Sequence, residues 1–299
     1  MLSNSVLPIS NLFLASLPQD DLEALRPHFE RVRLTLRQTL HTMGSPIEHC
    51  YFSDGGMTSL VVDLEDGASI EAGVIGKEGF AGCAALMGFE NASPLTSMIQ
   101  MPGIGVRIVP CILRDEMLRR PVLLEQVLRF SQVLNTQISH TAACNAHHNL
   151  PERLARWLLM AHDRAESDTL PLTQEFLSIM LAVRRPGVTV AARSLQATGA
   201  INYERGRIVV LDRKLLEEAS CECYGIVREH YRRILGWPAD GIGRIFEGGC
   251  TGRQPLPSVL CNNTPLADPQ DRRPAMPGGG LIAGPRTPAR IFDKGIKIR

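Results

Sequence analysis

Residues 172–211 read LTQEFLSIMLAVRRPGVTVAARSLQATGAINYERGRIVVL, and this stretch decides the fold. Phe176, Leu177, Ile179 and Met180 give a first helix an apolar face, with Thr173 placed to cap its start. Ala182-Val183 is a tight connection. Pro186 then stands in a first helical turn, where its missing N–H would have had no partner. Val188, Ala191, Ala192 and Leu195 follow at helical spacing and face inward, leaving Arg184, Arg185, Thr189 and Arg193 outside. Gly199 closes that helix, and Ile201–Tyr203 and Arg207–Leu211 flank a Glu204-Arg205-Gly206 turn. Helix, turn, helix and hairpin make a winged helix-turn-helix. The bland alternative is a helical hairpin with a solvated cationic rim. Three features favour the winged form: the hairpin directly after Gly199, the Arg184-Arg185 pair, and the lack of acidic residues between Glu175 and Glu204.

In such a unit the second helix enters the DNA major groove. That expectation puts Arg184, Arg185, Pro186, Thr189 and Arg193 on the reading surface, with Thr173 and Gln174 beside them and Arg205 and Arg207 on the wing. Charge supports this by its distribution rather than its sum. The 299-residue chain has a net charge of only +1. Residues 1–150 carry 10 basic against 15 acidic side chains, whereas residues 173–214 carry 7 against 3. A segregated positive patch is the electrostatic footprint expected of a nucleic-acid binder.

The 44% hydrophobic content suits packed domains. No apolar window approaches bilayer length and no signal segment is evident, so the expectation is a cytoplasmic chain, without a membrane partner, whose eight cysteines are reduced. From about Glu30 to Val109, short β-prone runs separated by turns such as Asp54-Gly55-Gly56 and Asp66-Gly67 fit an antiparallel jelly roll. Helical character follows. Between Val122 and His148, Leu124, Ser131, Ile138 and Asn145 recur every seven residues, interleaved with Val127, Leu134, Thr141 and His148. This is a seam suited to a homodimer or to packing on the chain's own barrel, and two-fold DNA recognition favours the dimer. Pro151 starts a further helix with Leu154, Trp157, Leu158 and Ala161 on its buried face. Residues 238–299 hold nine of the 20 prolines and ten of the 26 glycines, and read as a disordered basic tail. The predicted architecture is therefore α+β: a jelly-roll sensor (10–120), a dimerisation helix (121–149), a winged helix-turn-helix (150–237) and the tail (238–299).

Leu172-Thr173-Gln174-Glu175, Val183-Arg184-Arg185-Pro186-Gly187-Val188 and Pro151-Glu152-Arg153-Leu154-Ala155, together with Gly73-Val74-Ile75-Gly76, resemble the Crp/Fnr superfamily of bacterial transcription factors. The resemblance spans roughly residues 10–235 and is sharper in the C-terminal half. It implies DNA-dependent control of transcription by a homodimer on double-stranded DNA, in contact with RNA polymerase. It implies that Gln174 contacts the DNA backbone and Arg185 reads a base. Pro186 and Val190 stand where the family's commonest readers are a glutamate and a further arginine, so the operator is expected to differ from the family's best-known one.

The resemblance also places an effector pocket at Gly76, Lys77, Glu78 and Gly79. Lys77 occupies the place of a ribose-binding glutamate, and no arginine lies between Lys77 and Arg107 to pair a cyclic phosphate. A barrel corner shaped by glycines is the reading preferred there, and the effector stays unknown. The cysteines are scattered. Cys144 and His147, one helical turn apart, suit a shared metal, but Cys221-Glu222-Cys223 is tighter than the usual ligand spacing, and neither metal nor cofactor is expected. His140, His147, His148 and Cys144 lie on a heptad-patterned helix rather than by a cleft, and no catalytic motif appears, so an enzyme is not expected. The rival reading is a cytoplasmic signal- or redox-sensing protein that does not bind DNA.

Overall fold

In this computed structural model the described residues are 9–88, 91–204 and 206–236, all within one unit. Arg205 and the segment 238–299 expected to form a tail lie outside them. The chain opens with α1 (Leu12–Ala15) and α2 (Gln19–Leu25). Buried Asn11 caps α1 by accepting from the Leu14 N–H, while its amide donates to the carbonyls of Ser53 and Gly79. A buried amide with all its groups satisfied fixes α1 against the strands behind it.

Those strands are β1 (Glu30–Leu34), β2 (Thr39–His41), β3 (Cys50–Ser53), β4 (Met57–Asp63), β5 (Ser69–Ile75), β6 (Phe80–Ala81), β7 (Thr96–Met101) and β8 (Gly103–Ile108), with the short α3 (Ala84–Met87) between β6 and β7. They form two antiparallel four-stranded sheets, ordered β1-β8-β3-β6 and β2-β7-β4-β5, which is the jelly roll foreseen from the turn pattern. Phe13, Phe52, Phe80 and Phe130 fill its interior, with Phe52 and Phe80 stacked at 4.7 Å between ring centroids. Gly79 is required where Phe130 meets the barrel, because a Cβ there would fall 1.9 Å from the ring.

Helix α4 (Pro110–Arg119) leads to α5 (Pro121–His147), 27 residues long. Its buried stripe is Leu123, Val127, Phe130, Val133, Gln137, Thr141 and Cys144. This corrects the seven-residue seam. Val127 and Thr141 belong to the chain's own interior, because a straight helix packed on a barrel presents a stripe of period 3.6. The outward row is instead Leu128, which is 54% exposed, with Asn135 and Ala142, alternating with half-buried Leu124, Ser131, Ile138 and Asn145.

Asn149 and Glu152 form a capping box that starts α6 (Leu150–His162). Every residue of α6 from Leu154 to His162 is buried. After β9 (Thr169–Leu170) come α7 (Gln174–Met180), α8 (Arg185–Ala197) and the wing strands β10 (Ile201–Glu204) and β11 (Arg207–Val210), in the sheet order β10-β11-β9. Then α9 (Arg213–Glu218) and α10 (Glu222–Leu235) carry the chain back to α5, where Gln137 donates to the Tyr231 hydroxyl at 2.7 Å. Strand β9 and helices α9 and α10 were not anticipated from the sequence.

One apolar core joins the barrel residues Met57, Val74 and Met101 to Leu177, Met180, Val188 and Leu195 of the helix-turn-helix, with α6 between them. Two buried carboxylates link α6 and its end to the barrel. Glu78 pairs with Arg164 at 2.6 Å, both almost fully buried. Glu71 accepts from the Trp157 indole at 2.6 Å and from the Ser59 hydroxyl. Burial pushes the Glu71 carboxyl up to about 7 from an ordinary 4.5, against those two hydrogen bonds. The folded chain therefore holds a proton that the unfolded chain releases above about pH 4.5. This contribution is fully present below that pH and is lost as pH rises toward 7, by an amount on the order of 3 kcal/mol. Urea unfolding of wild type and Glu71→Gln at pH 5 and pH 7.5 is expected to show this loss in the wild type alone; parallel stabilities would refute it.

Candidate nucleic-acid interface

The start of α7, the outer face of α8 and the wing enclose an open groove of about 1,050 Å³. Local chemistry sets its walls. Thr173 caps α7 by accepting from the Phe176 N–H at 3.2 Å. At the other end of α7, Ala182 takes a left-handed φ of +52°. The Ala182 N–H then reaches the Ile179 carbonyl and the Val183 N–H the Ser178 carbonyl. This is a Schellman stop closed by alanine instead of glycine, and it sets the turn into α8. Val188, Ala191, Ala192 and Leu195 are buried as the apolar spacing required. Leu177 and Met180 are buried too, whereas Ile179, expected on the same face, is exposed.

Five of the expected contact residues line the groove together: Thr173, Gln174, Arg185, Thr189 and Arg193. Arg184 is the exposed N-cap of α8, Pro186 lies in its first turn, and Arg207 is exposed at the start of β11. Arg205 lies outside the described residues. The Thr189 hydroxyl bonds back to the Arg185 carbonyl at 3.2 Å. Val190 is 67% exposed on α8.

Five groove residues escaped the sequence reading, three of them with polar side chains: Glu175, Gln196 and Tyr203. Glu175 pairs with Arg185 at 2.6 Å, and both side chains are more than half exposed. Gln196 accepts from the Tyr203 N–H at 3.3 Å, tying α8 to the wing. Burial pushes the Tyr203 phenol up, opposed by a hydrogen bond from the Gln174 backbone. The signal for Gln196 was present in its helical register, on the exposed side of α8, whereas Tyr203 shares a strand face with buried Ile201 and packs against the core.

A second cavity, about 520 Å³, lies in the barrel mouth against α5, where Leu60, Phe80, Cys83, Ser131, Leu134 and Ile138 meet His41. The expected effector residues Gly76, Lys77, Glu78 and Gly79 do not line it. Glu78 is committed to Arg164, and Gly79 packs on Phe130. His41 is held between Ser97 and the His49 carbonyl, and burial lowers its pKa. Among the described residues lining this cavity there is no lysine or arginine.

The cysteines are not all scattered, contrary to expectation. Cys144, Cys221 and Cys223 meet in the fold, and the histidine beside them is His148 instead of His147. Among the described residues no helix is long and apolar enough to cross a membrane.

Comparison with known proteins agrees with this geometry. Residues 152–219 match the family model of the Crp-like helix-turn-helix domain. No curated protein matches the sequence. Among solved structures, the fold is similar to the c-di-GMP-responsive global regulator CLP of Xanthomonas campestris, with a TM-score of 0.55 at 17% identity over 64% of this chain and 99% of that one. FixK2 of Bradyrhizobium japonicum gives a TM-score of 0.56 at 14% identity, over 64% and 98%. A transcriptional regulator of the CRP family from Thermus thermophilus gives 0.53 at 21%, over 63% and 96%. The chain thus carries a Crp-like helix-turn-helix domain over residues 152–219, joined to a jelly roll in a fold similar to that of these regulators.

A buried phosphate diester without a cationic partner loses its main charge-assisted hydrogen bonds. Calorimetric titration with cyclic AMP is therefore expected to give no saturable heat at micromolar ligand. Micromolar affinity would mean that a cation reaches the barrel cavity.

Proposed function

We propose that this chain is a DNA-binding transcription regulator of the Crp/Fnr type, binding a two-fold symmetric operator as a homodimer in the cytoplasm, each α8 reading one half-site. The single observation that carries the reading is the groove that gathers Arg185, Thr189 and Arg193 on one exposed face. An arginine fork matches the two acceptors of guanine, and each such pair gives roughly 1–3 kcal/mol of discrimination. Val190, exposed on the same helix, offers an apolar contact to a thymine methyl. Thr173, Gln174, Arg184, Arg193 and the wing arginines Arg205 and Arg207 hold the phosphate backbone. Pro186 stands in the first turn of α8, where its missing N–H costs the helix no internal hydrogen bond.

The division of labour follows the chain. Residues 10–120 sense, 121–149 dimerise and 150–237 read DNA, with RNA polymerase as a further partner. The barrel cavity suits an uncharged, largely apolar effector. The chemistry is regulatory, and no step of catalysis is assigned.

Selection of bound sites from random duplex DNA, followed by footprinting, tests this directly. Half-sites are expected about 34 Å apart. Arg185→Ala is expected to lower specific affinity about ten-fold or more and relax preference at one position per half-site. Arg207→Ala is expected to weaken all sequences alike and reduce the salt dependence by about one phosphate. An unchanged footprint and base preference in Arg185→Ala would exclude the reading.

The dimer has its own test. The outward row of α5 at Leu128, Ser131, Asn135 and Ile138 is the proposed contact. Leu128→Glu with Ile138→Glu is expected to give monomers in sedimentation and to lower operator affinity by more than ten-fold. A wild-type monomer at micromolar concentration would rule it out.

A further inference from the structure

Four side chains from two helices converge where α5 ends and α10 begins. Cys144 comes from the last turn of α5 and His148 follows it. Cys221 is the N-cap of α10 and Cys223 lies in its first turn. Their ligand atoms all lie within 4.8 Å of one another. Cys144 Sγ is 3.5 Å from Cys221 Sγ, and Cys223 Sγ is 3.8 Å from His148 Nδ1. Tetrahedral zinc, with Zn–S near 2.3 Å and Zn–N near 2.0–2.1 Å, sets neighbouring ligand atoms about 3.6–3.8 Å apart. The same atoms are too far apart for a disulfide, which needs about 2.05 Å, and all three cysteines are free.

Two surrounding features match a metal site more closely than a packed thiol cluster. The second ring nitrogen of His148 faces Glu222, with Nε2 3.1 Å from Oε2. That contact places the ring proton on Nε2 and turns the Nδ1 lone pair toward the sulfurs, the outer support usual for a metal-bound histidine. The Arg156 guanidinium, only 2% exposed, acts electrostatically on all three thiols. It donates to the Thr141 hydroxyl, and its Nε has no hydrogen-bond partner among the described residues. Three thiolates around a divalent cation leave one negative charge, which this buried arginine neutralises.

We infer that Cys144, His148, Cys221 and Cys223 form a four-coordinate Cys₃His site for a thiophilic divalent cation of the zinc class. Binding exchanges three S–H protons, released to solvent, for three metal–sulfur bonds, with no change of oxidation state. All four positions are filled by the protein, so the site is structural in kind and leaves no place for a reacting water. It closes a loop that contains α6, the whole helix-turn-helix and the wing. The cation thereby staples the far end of the DNA-reading half to α5.

The full-length reduced protein, purified without added metal, is expected to carry one zinc per chain by elemental mass spectrometry. Cobalt(II) in its place is expected to give thiolate charge-transfer and tetrahedral ligand-field bands. Cys223→Ser is expected to lower bound metal at least ten-fold, while Cys111→Ser, at an exposed thiol, retains it. Glu222→Gln is expected to weaken cobalt affinity about ten-fold while keeping the tetrahedral spectrum. Because the cobalt titration uses the wild-type chain, it does not depend on any variant folding. Less than a tenth of an equivalent of zinc with no cobalt–thiolate band, or a Cys144–Cys221 disulfide formed in preference to metal binding, would overturn the site.

Discussion

Helix α6 has no solvent face through most of its length, and the rest of the molecule is arranged around that constraint. Its apolar residues are shared between barrel and helix-turn-helix, so its polar residues must find partners in place. Arg164, just past its end, meets Glu78. Trp157 meets Glu71, and His162 lies between Asp168 and Arg213. Removing one member of a buried pair leaves the other charge uncompensated, at a cost of several kcal/mol. These contacts fix register and orientation between the two halves more than they add net stability. The raised pKa of Glu71 belongs to the same arrangement, since a carboxyl buried between β5 and α6 is easier to hold neutral than charged.

The helix-turn-helix was legible in the sequence because its signals are local. Thr173, Pro186, Gly199 and the Val188–Leu195 spacing each act within a few residues, and all four were read correctly. The jelly roll was legible as a class from its turns, although β2, β5, β6 and β7 lacked clear individual signals. Long-range packing was not legible. Nothing local reveals that Val127 enters the barrel core and Thr141 turns to Arg156 of α6, so the heptad pattern alone groups these buried residues with an outward row. Nor does spacing reveal that Cys144 and Cys221, 77 positions apart, become neighbours once α10 folds back on α5. The residues that resemblance places at the effector pocket stand apart from the barrel cavity for a related reason: Glu78 is drawn into a partnership with Arg164 that only the tertiary fold creates.

The reading groove balances opposed charges. Arg185 stands free of the helix in sequence but is already paired with Glu175 before any DNA arrives. A fork so placed must exchange a carboxylate for its target. Both side chains are more than half exposed, so the pair is worth only about 0–1 kcal/mol, and on the proposed reading either a phosphate or the aligned acceptors of a guanine can displace the carboxylate.

The core shared by Met57, Val74, Met101, Leu177 and Val188 bears on how such a chain can change over evolutionary time. Regulators are often pictured as exchangeable modules, a sensor from one ancestor joined to a reader from another. Here a recombination event at Asn149, though it falls between two helices, would pair side chains that had never been matched in volume. The progeny would inherit voids or clashes on both sides of α6. New specificities in this lineage are therefore most accessible by point substitution on the exposed faces of α8 and the wing, where no neighbour must change in concert.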